Sequence, residues 1–280
     1  MSYLLVAKPQ PKSPMKTLLY LLAAGLMIFS VGCEGDGNAL SGTEQSATVG
    51  SLSGSYARLI AVGNYLYAVD QTDLITFDAS DRDDPREMHR QTIGRAVETL
   101  FHHSGNLFIG SREGMFTYTI QNDGVPQRRG EFAYSEVLPM AEPCDPVVAN
   151  DNVAYATLYS DRSVSDPCGR TQRIQMLVAM DITDLDDVQL IRTYEVPSPR
   201  GLALRGDLLF VCNDASGLTV FDVANPSDIQ MLSRLTDMEA WDVIAKDDVL
   251  MVVSTTELIQ YDYSDPSALV ELSRIPMPRT

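Results

Sequence analysis

Short apolar runs recur along most of the chain, and pairs of turn-forming residues separate them. Gly or Asp followed by Asn or Asp precedes an apolar run in five places, namely Gly63-Asn64, Gly105-Asn106, Asp151-Asn152, Gly206-Asp207 and Asp247-Asp248. Such pairs mark tight turns between strands. Beyond the N-terminal region, no stretch sustains helical periodicity over about twelve residues. The pattern predicts an all-β protein and argues against a helical solenoid.

A second motif repeats about every forty residues: an apolar residue, any residue, an apolar residue and then Asp, followed by turn-forming residues. Its anchors are Asp78, Asp181, Asp222 and Asp262, and Thr119 holds the same place in a degenerate copy. The interval from Thr119 to Asp181 is longer than the others by about twenty residues. The third of five repeats therefore carries an insertion.

Each repeat divides into four short apolar segments, which in the last repeat are residues 242–245, 249–253, 258–261 and 270–275. Four short antiparallel strands make one propeller blade. We therefore expect a five-bladed β-propeller of four-stranded antiparallel blades over residues 55–280. The expected blades are about 55–95, 96–136, 137–199, 200–239 and 240–278. A sixth blade or a dimer stays open, because residues 41–53 could supply a further strand.

The recurring aspartates have two possible roles. Asp78, Asp81, Asp83 and Asp84 could suggest calcium, but this segment lacks the spacing and the glycine of an EF-hand loop. Asp side chains also accept hydrogen bonds from backbone N–H groups two residues later and so cap turns. We favour turn capping.

The N-terminal region has the pattern of an export signal. Lys16 precedes an apolar stretch from Leu18 to Gly32, which is shorter than the roughly 20 residues of a membrane span and ends on small residues before Cys33. We expect residues 1–32 to be a signal peptide, with Met15 as a possible true start. The Gly-Cys ending resembles the bacterial lipobox, whose cysteine is lipidated, although Ser30 stands where leucine is preferred. The alternative is ordinary cleavage nearby, which would leave Cys33 unmodified.

The residues after Cys33 and the overall charge narrow the possible partners. Residues 33–54 contain mainly small and polar residues, which suggests a lipidated cysteine followed by a flexible tether. The net charge is −17, and residues 1–32 contain three lysines and no acidic residue. Their removal would make the chain more negative still. Nucleic acid is therefore disfavoured as a partner, while the lipid anchor implies a membrane.

The repeats resemble those of LVIVD-repeat proteins, a β-propeller family common among bacterial lipoproteins. The resemblance rests on Gly217-Leu218-Thr219-Val220-Phe221-Asp222 and the following Asn225-Pro226-Ser227, and it covers residues 55 to about 278. It implies the fold but brings no biochemical activity, because the family has none established. Thr119 and Arg200 depart from the usual Asp and His of that family.

Three cysteines remain if Cys33 is lipidated. Cys144 and Cys168 flank the insertion of the third repeat, and in an oxidising compartment we expect them to form a disulfide. Such a bridge would contribute roughly 3 kcal/mol of stability. The alternatives are two free thiols or a metal site, but no CxxC motif or histidine cluster supports a metal. Cys212 lies in an apolar strand, where we expect a buried free thiol.

Alignment of the repeats on their Gly-Asn turns gives a candidate binding ring near the start of each innermost strand. The ring consists of Arg58, Glu98, Asp145, Arg200 and Asp242, with Trp241 beside it. Propellers bind ligands where these strands and their loops converge. The alternative is that these charges pair with one another and close the central channel of the propeller without binding a ligand.

The sequence offers little for catalysis. It has three histidines, His89, His102 and His103, and no nucleophile elbow, zinc motif or phosphate-binding loop. We expect an exported, membrane-anchored, non-catalytic binding module for an unknown protein, small molecule or glycan, without cofactor or metal. One alternative is a hydrolase or lyase that uses Glu98, Asp145, Asp242 or His102, and another is a structural part of an envelope assembly. We expect the bacterial outer membrane or cell surface, since Glu34 is not the aspartate that retains lipoproteins at the inner membrane.

Overall fold

The computed structural model describes residues 56–137, 146–165 and 171–277. The contacts within the chain divide it into two units, residues 1–46 and residues 47–280. All of the described residues belong to the second unit. It contains five four-stranded antiparallel sheets, in each of which strand order follows chain order. Apart from strands, the described residues include a short 3-10 turn at Tyr134–Glu136. No described helix is long and apolar enough to cross a membrane.

The strands of the five sheets have the following bounds. Blade 1 contains β1 Leu59–Val62, β2 Tyr65–Asp70, β3 Asp73–Asp78 and β4 Arg86–Thr92. Blade 2 contains β5 Val97–His103, β6 Asn106–Ser111, β7 Gly114–Ile120 and β8 Pro126–Ala133. Blade 3 contains β9 Val147–Ala149, β10 Val153–Ser165, β11 Thr171–Asp181 and β12 Gln189–Glu195. Blade 4 contains β13 Leu202–Arg205, β14 Leu208–Cys212, β15 Leu218–Asp222 and β16 Gln230–Leu235. Blade 5 contains β17 Asp242–Lys246, β18 Val249–Val253, β19 Glu257–Asp262 and β20 Val270–Pro276.

The first strands of successive blades, from β1 to β17, lie next to one another, while the fourth strands lie outermost. This arrangement is a five-bladed β-propeller, which confirms the predicted fold class. Because strands alternate in direction, the turns after the first and third strands of every blade lie at one end, called here the lower face. The turns after the second strands and the connections between blades lie at the other end, called here the upper face.

The anchor aspartates stabilise the turns of the lower face. Asp78 Oδ1 accepts the N–H of Ser80 at 2.8 Å, and Asp222 and Asp262 accept in the same way from residues two positions later. Hydrogen bonds from the Ser80 side chain, and then from its backbone N–H, lower the pKa of Asp78, and those from Ser264 lower the pKa of Asp262 in the same order. Thr119 instead donates its hydroxyl to Asn106 Oδ1 at 2.8 Å. The structure thus agrees with turn capping as the role of the repeated aspartate.

The core consists of four apolar clusters, each of which joins one blade to the next. Tyr67 and Leu100 belong to the cluster of blades 1 and 2, and Phe108 and Met180 to that of blades 2 and 3. Two further clusters join blade 3 to blade 4 and blade 4 to blade 5. Burial between blades is therefore the main apolar contribution to stability.

The insertion in the third repeat lengthens one hairpin on the upper face. β10 and β11 have 13 and 11 residues, whereas the other strands have between 3 and 8. The pairing of β10 with β11 shifts between Ser160 and Val164. Cys144, Asp145 and Cys168 lie outside the described residues, as do the signal region, Cys33 and the tether.

Candidate functional site

Arg200 lies on the upper face, in the connection that leads into β13. Its N–H donates to the carbonyl of Cys212 at 2.8 Å, and its carbonyl accepts the Thr157 hydroxyl at 2.5 Å. The guanidinium carbon lies 4.1 Å from the ring centre of Tyr159 and 4.6 Å from that of Trp241. These distances are within the range of cation–π attraction, so blades 3, 4 and 5 meet at this side chain.

Asp214 completes the surroundings of the guanidinium. Arg200 Nη2 lies 2.8 Å from Asp214 Oδ2, and the two side chains are only 18% and 22% exposed. Asp214 has a φ of +51° and forms an isolated β-bridge with Ala240, which ties the turn after β14 to blade 5. A non-glycine residue rarely adopts this φ, and such backbone strain concentrates at functional sites. The Arg200 guanidinium thus contacts an aromatic ring on each side and the Asp214 carboxylate at one edge.

Trp241 is fixed by its own hydrogen bonds. Its Nε1 donates to Glu239 Oε1 at 2.8 Å, and Glu239 Oε2 accepts the Thr255 hydroxyl at 2.5 Å. The Trp241 carbonyl accepts the N–H of Gly201 at 2.9 Å. A Cβ atom at position 201 would lie 2.3 Å from Asp242 Oδ1 and 2.8 Å from that carbonyl. Glycine is required there because blades 4 and 5 approach so closely.

A second group of charges lies between blades 1 and 2. Arg58 is exposed and donates through Nε to the backbone carbonyl of Glu98 at 3.2 Å. The Glu98 carboxylate instead pairs with Arg112, at 3.0 Å between Oε1 and Nε. Nearby, Arg95 pairs with Glu113 at 3.0 Å. Arg58 and Glu98 are therefore neighbours, but their hydrogen bond does not join the two charges.

The structure places the predicted ring residues that it describes in these two groups. Arg200 and Trp241 are in direct contact, and Asp242, the first residue of β17, accepts the N–H of Val243 at 2.9 Å. Asp145 lies outside the described residues. Cys212 is a fully buried free thiol, and burial raises its pKa well above the ordinary value, with a smaller effect from Asp242.

Sequence reasoning missed Tyr159, Asp214, Glu239 and Arg112. Arg112, Asp214 and Thr255 each lie in the turn that follows the second strand of a blade. Alignment of the repeats on this second turn would have placed them on the same face as the predicted ring. No comparable signal exists for Tyr159, because it lies in the irregular long hairpin.

A pocket of about 170 Å³ lies at the opposite, lower face between blades 2 and 3. On its rim, His103 Nε2 lies 2.7 Å from Asp151 Oδ1, which also accepts the Ser104 hydroxyl at 2.9 Å. These two hydrogen bonds, that of His103 first, lower the pKa of Asp151. His102 is buried, and burial lowers its pKa, with a smaller effect from His103. His102 and Glu98 are four residues apart on the extended strand β5, which corresponds to about 13 Å. The two residues therefore do not lie at the same face of the propeller.

Comparisons with known proteins agree with this architecture. The LVIVD repeat model matches residues 53–92 and 198–237. Apo AztD from Citrobacter koseri is 14% identical with a TM-score of 0.55, over 77% of this chain and 60% of that one. A protein from Lactobacillus plantarum is 11% identical with a TM-score of 0.54, over 79% and 71%.

A structure of a nidogen/laminin complex is 15% identical with a TM-score of 0.51, over 78% of this chain and 75% of that one. No curated protein matches the chain in sequence. The chain spans less than two thirds of the AztD chain, and identities this low support the fold alone. The chain is thus a five-bladed β-propeller with LVIVD repeats in its first and fourth blades.

Proposed function

We propose that the protein is a non-catalytic binding module of the bacterial cell envelope, exported by residues 1–32 and anchored by a lipid on Cys33. The basic residue, the apolar stretch and the Gly-Cys ending of the N-terminal region support export and anchoring. The strongly negative chain does not favour nucleic acid as a ligand. We place the protein at the outer membrane or cell surface and its ligand on the upper face.

The sandwich of Tyr159, Arg200 and Trp241 is the observation that carries this proposal. Both rings and the guanidinium are held by named contacts before any ligand arrives, so binding would cost little side-chain entropy. Rigid aromatic residues that combine apolar area with a polar edge are the side chains that dominate binding energy in interfaces. Tyr159 itself belongs to β10, in the long hairpin of blade 3.

The charge of the cluster narrows the class of ligand. The Arg200 guanidinium is neutralised by Asp214, and the indole N–H of Trp241 is used by Glu239. The cluster therefore presents stacking area with acidic groups at its edge and is poorly suited to bind a phosphate. A sugar ring or an exposed protein side chain fits this surface, and both belong to the proposed class of glycan or protein ligands.

No observation favours the enzyme alternative in the same way. Glu98 is paired with Arg112, and His102 lies toward the opposite end of the same strand. A structural role in an envelope assembly would leave the Arg200 cluster without a ligand. Variants of the Arg200 cluster distinguish these two alternatives from a binding module, because neither alternative requires this cluster to bind a ligand.

The test is binding to a glycan array and to solubilised envelope proteins, with wild type, Arg200→Ala and Trp241→Ala. Arg274→Ala is the control, because this arginine lies on β20, the outermost strand of blade 5, where it forms ion pairs with Glu257 and Glu271. We expect saturable binding that weakens on the order of tenfold or more in both site variants and is unchanged in the control. Equal binding by all four proteins would contradict the proposal.

A further inference from the structure

The pocket of about 170 Å³ on the lower face lies at the end of the propeller opposite to the Arg200 cluster. Three turns and the strand β6 surround it: the β5–β6 turn of blade 2, and the β9–β10 and β11–β12 turns of blade 3. Ser104, Asp151 and Thr183 belong to these turns in that order. The pocket therefore lies at the junction of two blades, where distant parts of the chain meet.

Contacts between the two blades hold the β11–β12 turn, which forms one wall of the pocket. Thr117 of β7 donates its hydroxyl to the carbonyl of Leu185 at 2.8 Å. Arg129 of β8 donates two hydrogen bonds to the Asp186 carboxylate, at 2.6 and 2.7 Å. Because these contacts fix the wall to blade 2, a ligand would meet a formed pocket and would not have to order it.

The lining of the pocket combines buried apolar side chains with exposed polar ones. Phe108 and Ile182 are 1% and 3% exposed, and Leu185 is partly buried. His103 and Asp151 are nearer to solvent, with side chains that are 31% and 74% exposed. A ligand group with an alkyl stem and a polar end matches such a lining.

Asp151 determines the charge that this polar end should carry. Its Oδ1 accepts hydrogen bonds from both His103 Nε2 and the Ser104 hydroxyl, at 2.7 and 2.9 Å. Both bonds use the same oxygen of an exposed side chain, so Oδ2 is open to a further donor. The same two bonds, that of His103 first, lower the pKa of Asp151 and keep the carboxylate ionised. An ionised carboxylate forms its strongest hydrogen bonds with cationic donors.

The rest of the lower face surrounds the pocket with negative charge. Aspartates occur in the turns of this face in every blade, and Arg82 is the one basic residue of these turns, all of which the structure describes. Asp184 and Asp187 lie in the β11–β12 turn itself. Such a face repels anions and attracts a basic surface at long range.

We propose that the pocket receives a lysine side chain of a basic partner protein. The ammonium group pairs with Asp151 Oδ2, and the alkyl stem lies against Phe108 and Ile182. The compact ammonium of lysine suits a pocket of this size better than the planar guanidinium of arginine. The acidic turns face the basic surface from which the lysine projects. This site is separate from the Arg200 cluster, so either binding activity can fail without the other.

Titration with lysine analogues tests the proposal, because His103 reports on the pocket. The full chain has three histidines, so their ring signals can be followed individually by NMR. We expect a His103 shift that saturates with N-acetyl-lysine amide. N-acetyl-norleucine amide has the same carbon stem without the ammonium group and should bind on the order of tenfold more weakly. The signal of His89, on the outermost strand β4 of blade 1, should not change.

Asp151→Asn removes the charge of the pocket, while its amide oxygen can still accept the Ser104 hydroxyl. Asp228→Asn is the matched control, because Asp228 is an exposed carboxylate of the same face in blade 4. Binding of N-acetyl-lysine amide should weaken on the order of tenfold in Asp151→Asn and stay unchanged in Asp228→Asn. Equal affinity in the two variants would indicate general attraction to an acidic surface and overturn the proposal. A titration without a saturable His103 shift would overturn it as well.

A second comparison distinguishes a lysine of a protein from a free amine. A lysine-glycine peptide with several lysines offers further cations to the acidic turns, whereas cadaverine is a small diamine that reaches only the pocket. We expect the peptide to bind on the order of tenfold more tightly than cadaverine at low salt and to lose this advantage at high salt. Equal affinity for both at low salt would make a free amine the occupant and contradict the protein partner.

Discussion

At the scale of single residues, Arg200 acts as a support for its neighbours. Its charge is neutralised by Asp214, and its two flat sides lie against Tyr159 and Trp241. Lysine could not reproduce this arrangement, because its ammonium is compact and lacks the planar guanidinium that stacks on rings. The stacked geometry of the cluster therefore requires an arginine at position 200 and not only a positive charge there.

The turn aspartates predict a loss of stability in acid. Hydrogen bonds from Ser80, Thr183, Ser264 and Ser267 lower the pKa of Asp78, Asp181, Asp262 and Asp265 respectively. A carboxyl whose pKa is lowered by folding stabilises the protein above its unfolded pKa of about 3.9, and this contribution is lost as pH falls through the lower folded value. Urea unfolding should therefore give a smaller free energy of unfolding at about pH 3 than at about pH 5.

Asp262→Asn is the matched variant for this pH dependence. An amide oxygen can still accept the N–H of Ser264, but it does not titrate in this range. The change in stability between the two pH values should be smaller in the variant than in wild type. An identical change in both proteins would show that Asp262 does not contribute.

The thiols predict a defined labelling pattern. Cys212 is fully buried and burial raises its pKa, so it should not react with a maleimide in the native protein. If Cys144 and Cys168 are bridged as proposed, unfolding without reductant should expose one reactive thiol in a chain that lacks Cys33. Unfolding with reductant should expose three, as counted by mass spectrometry. Three reactive thiols without reductant would exclude the bridge.

Some of the site was predictable residue by residue, and some was not. Arg200 and Trp241 were found because they precede an innermost strand at a fixed offset from a Gly-Asn type turn. Asp214 was missed because its place depends on a left-handed φ and on a bridge to Ala240 in the next blade. Contacts between blades leave no mark on the periodicity of a single repeat.

At the scale of strands, the turn pairs and the repeated aspartates located the elements well. The last repeat was expected to form strands at 242–245, 249–253, 258–261 and 270–275, and the structure has them at 242–246, 249–253, 257–262 and 270–276. The great length of β10 and β11 was not expected. An insertion reveals its presence through the spacing of the repeats, but it does not reveal that it extends the strands themselves.

The contact between blades 4 and 5 predicts a large effect of one core substitution. Phe210 of β14 is fully buried, and its ring centre lies 5.0 Å from that of Tyr263, which follows β19. Phe210→Ala would leave a cavity and lose this contact, so we expect a destabilisation of about 3–5 kcal/mol. The measurement is chemical denaturation followed by Trp241 fluorescence.

Met231→Ala is the control for that substitution. Met231 is an exposed apolar residue of β16, the outermost strand of the same blade, so its removal should change stability by no more than about 0.5 kcal/mol. Similar losses for Phe210→Ala and Met231→Ala would contradict the account of the core as a set of contacts between blades.

At the scale of the whole molecule, the proposed anchor has a direct consequence. A diacylated Cys33 would hold the propeller at a membrane surface through the tether. In a bacterial host, Cys33→Ser should move the protein from the membrane fraction to the soluble periplasmic or secreted fraction, as measured by fractionation and immunoblotting. A protein that remains in the membrane fraction after this substitution would contradict anchoring at Cys33.

The central claim is that the upper-face cluster around Arg200 binds the ligand, and Trp241 tests it most directly because it is the single tryptophan of the chain. The measurement is a titration of Trp241 emission with the glycan or envelope protein that the binding test recovers. We predict an emission change that saturates at the same concentration as binding and is weakened in Arg200→Ala. Saturable binding with unchanged emission, and with equal affinity in Arg200→Ala, would place the ligand elsewhere and contradict the claim.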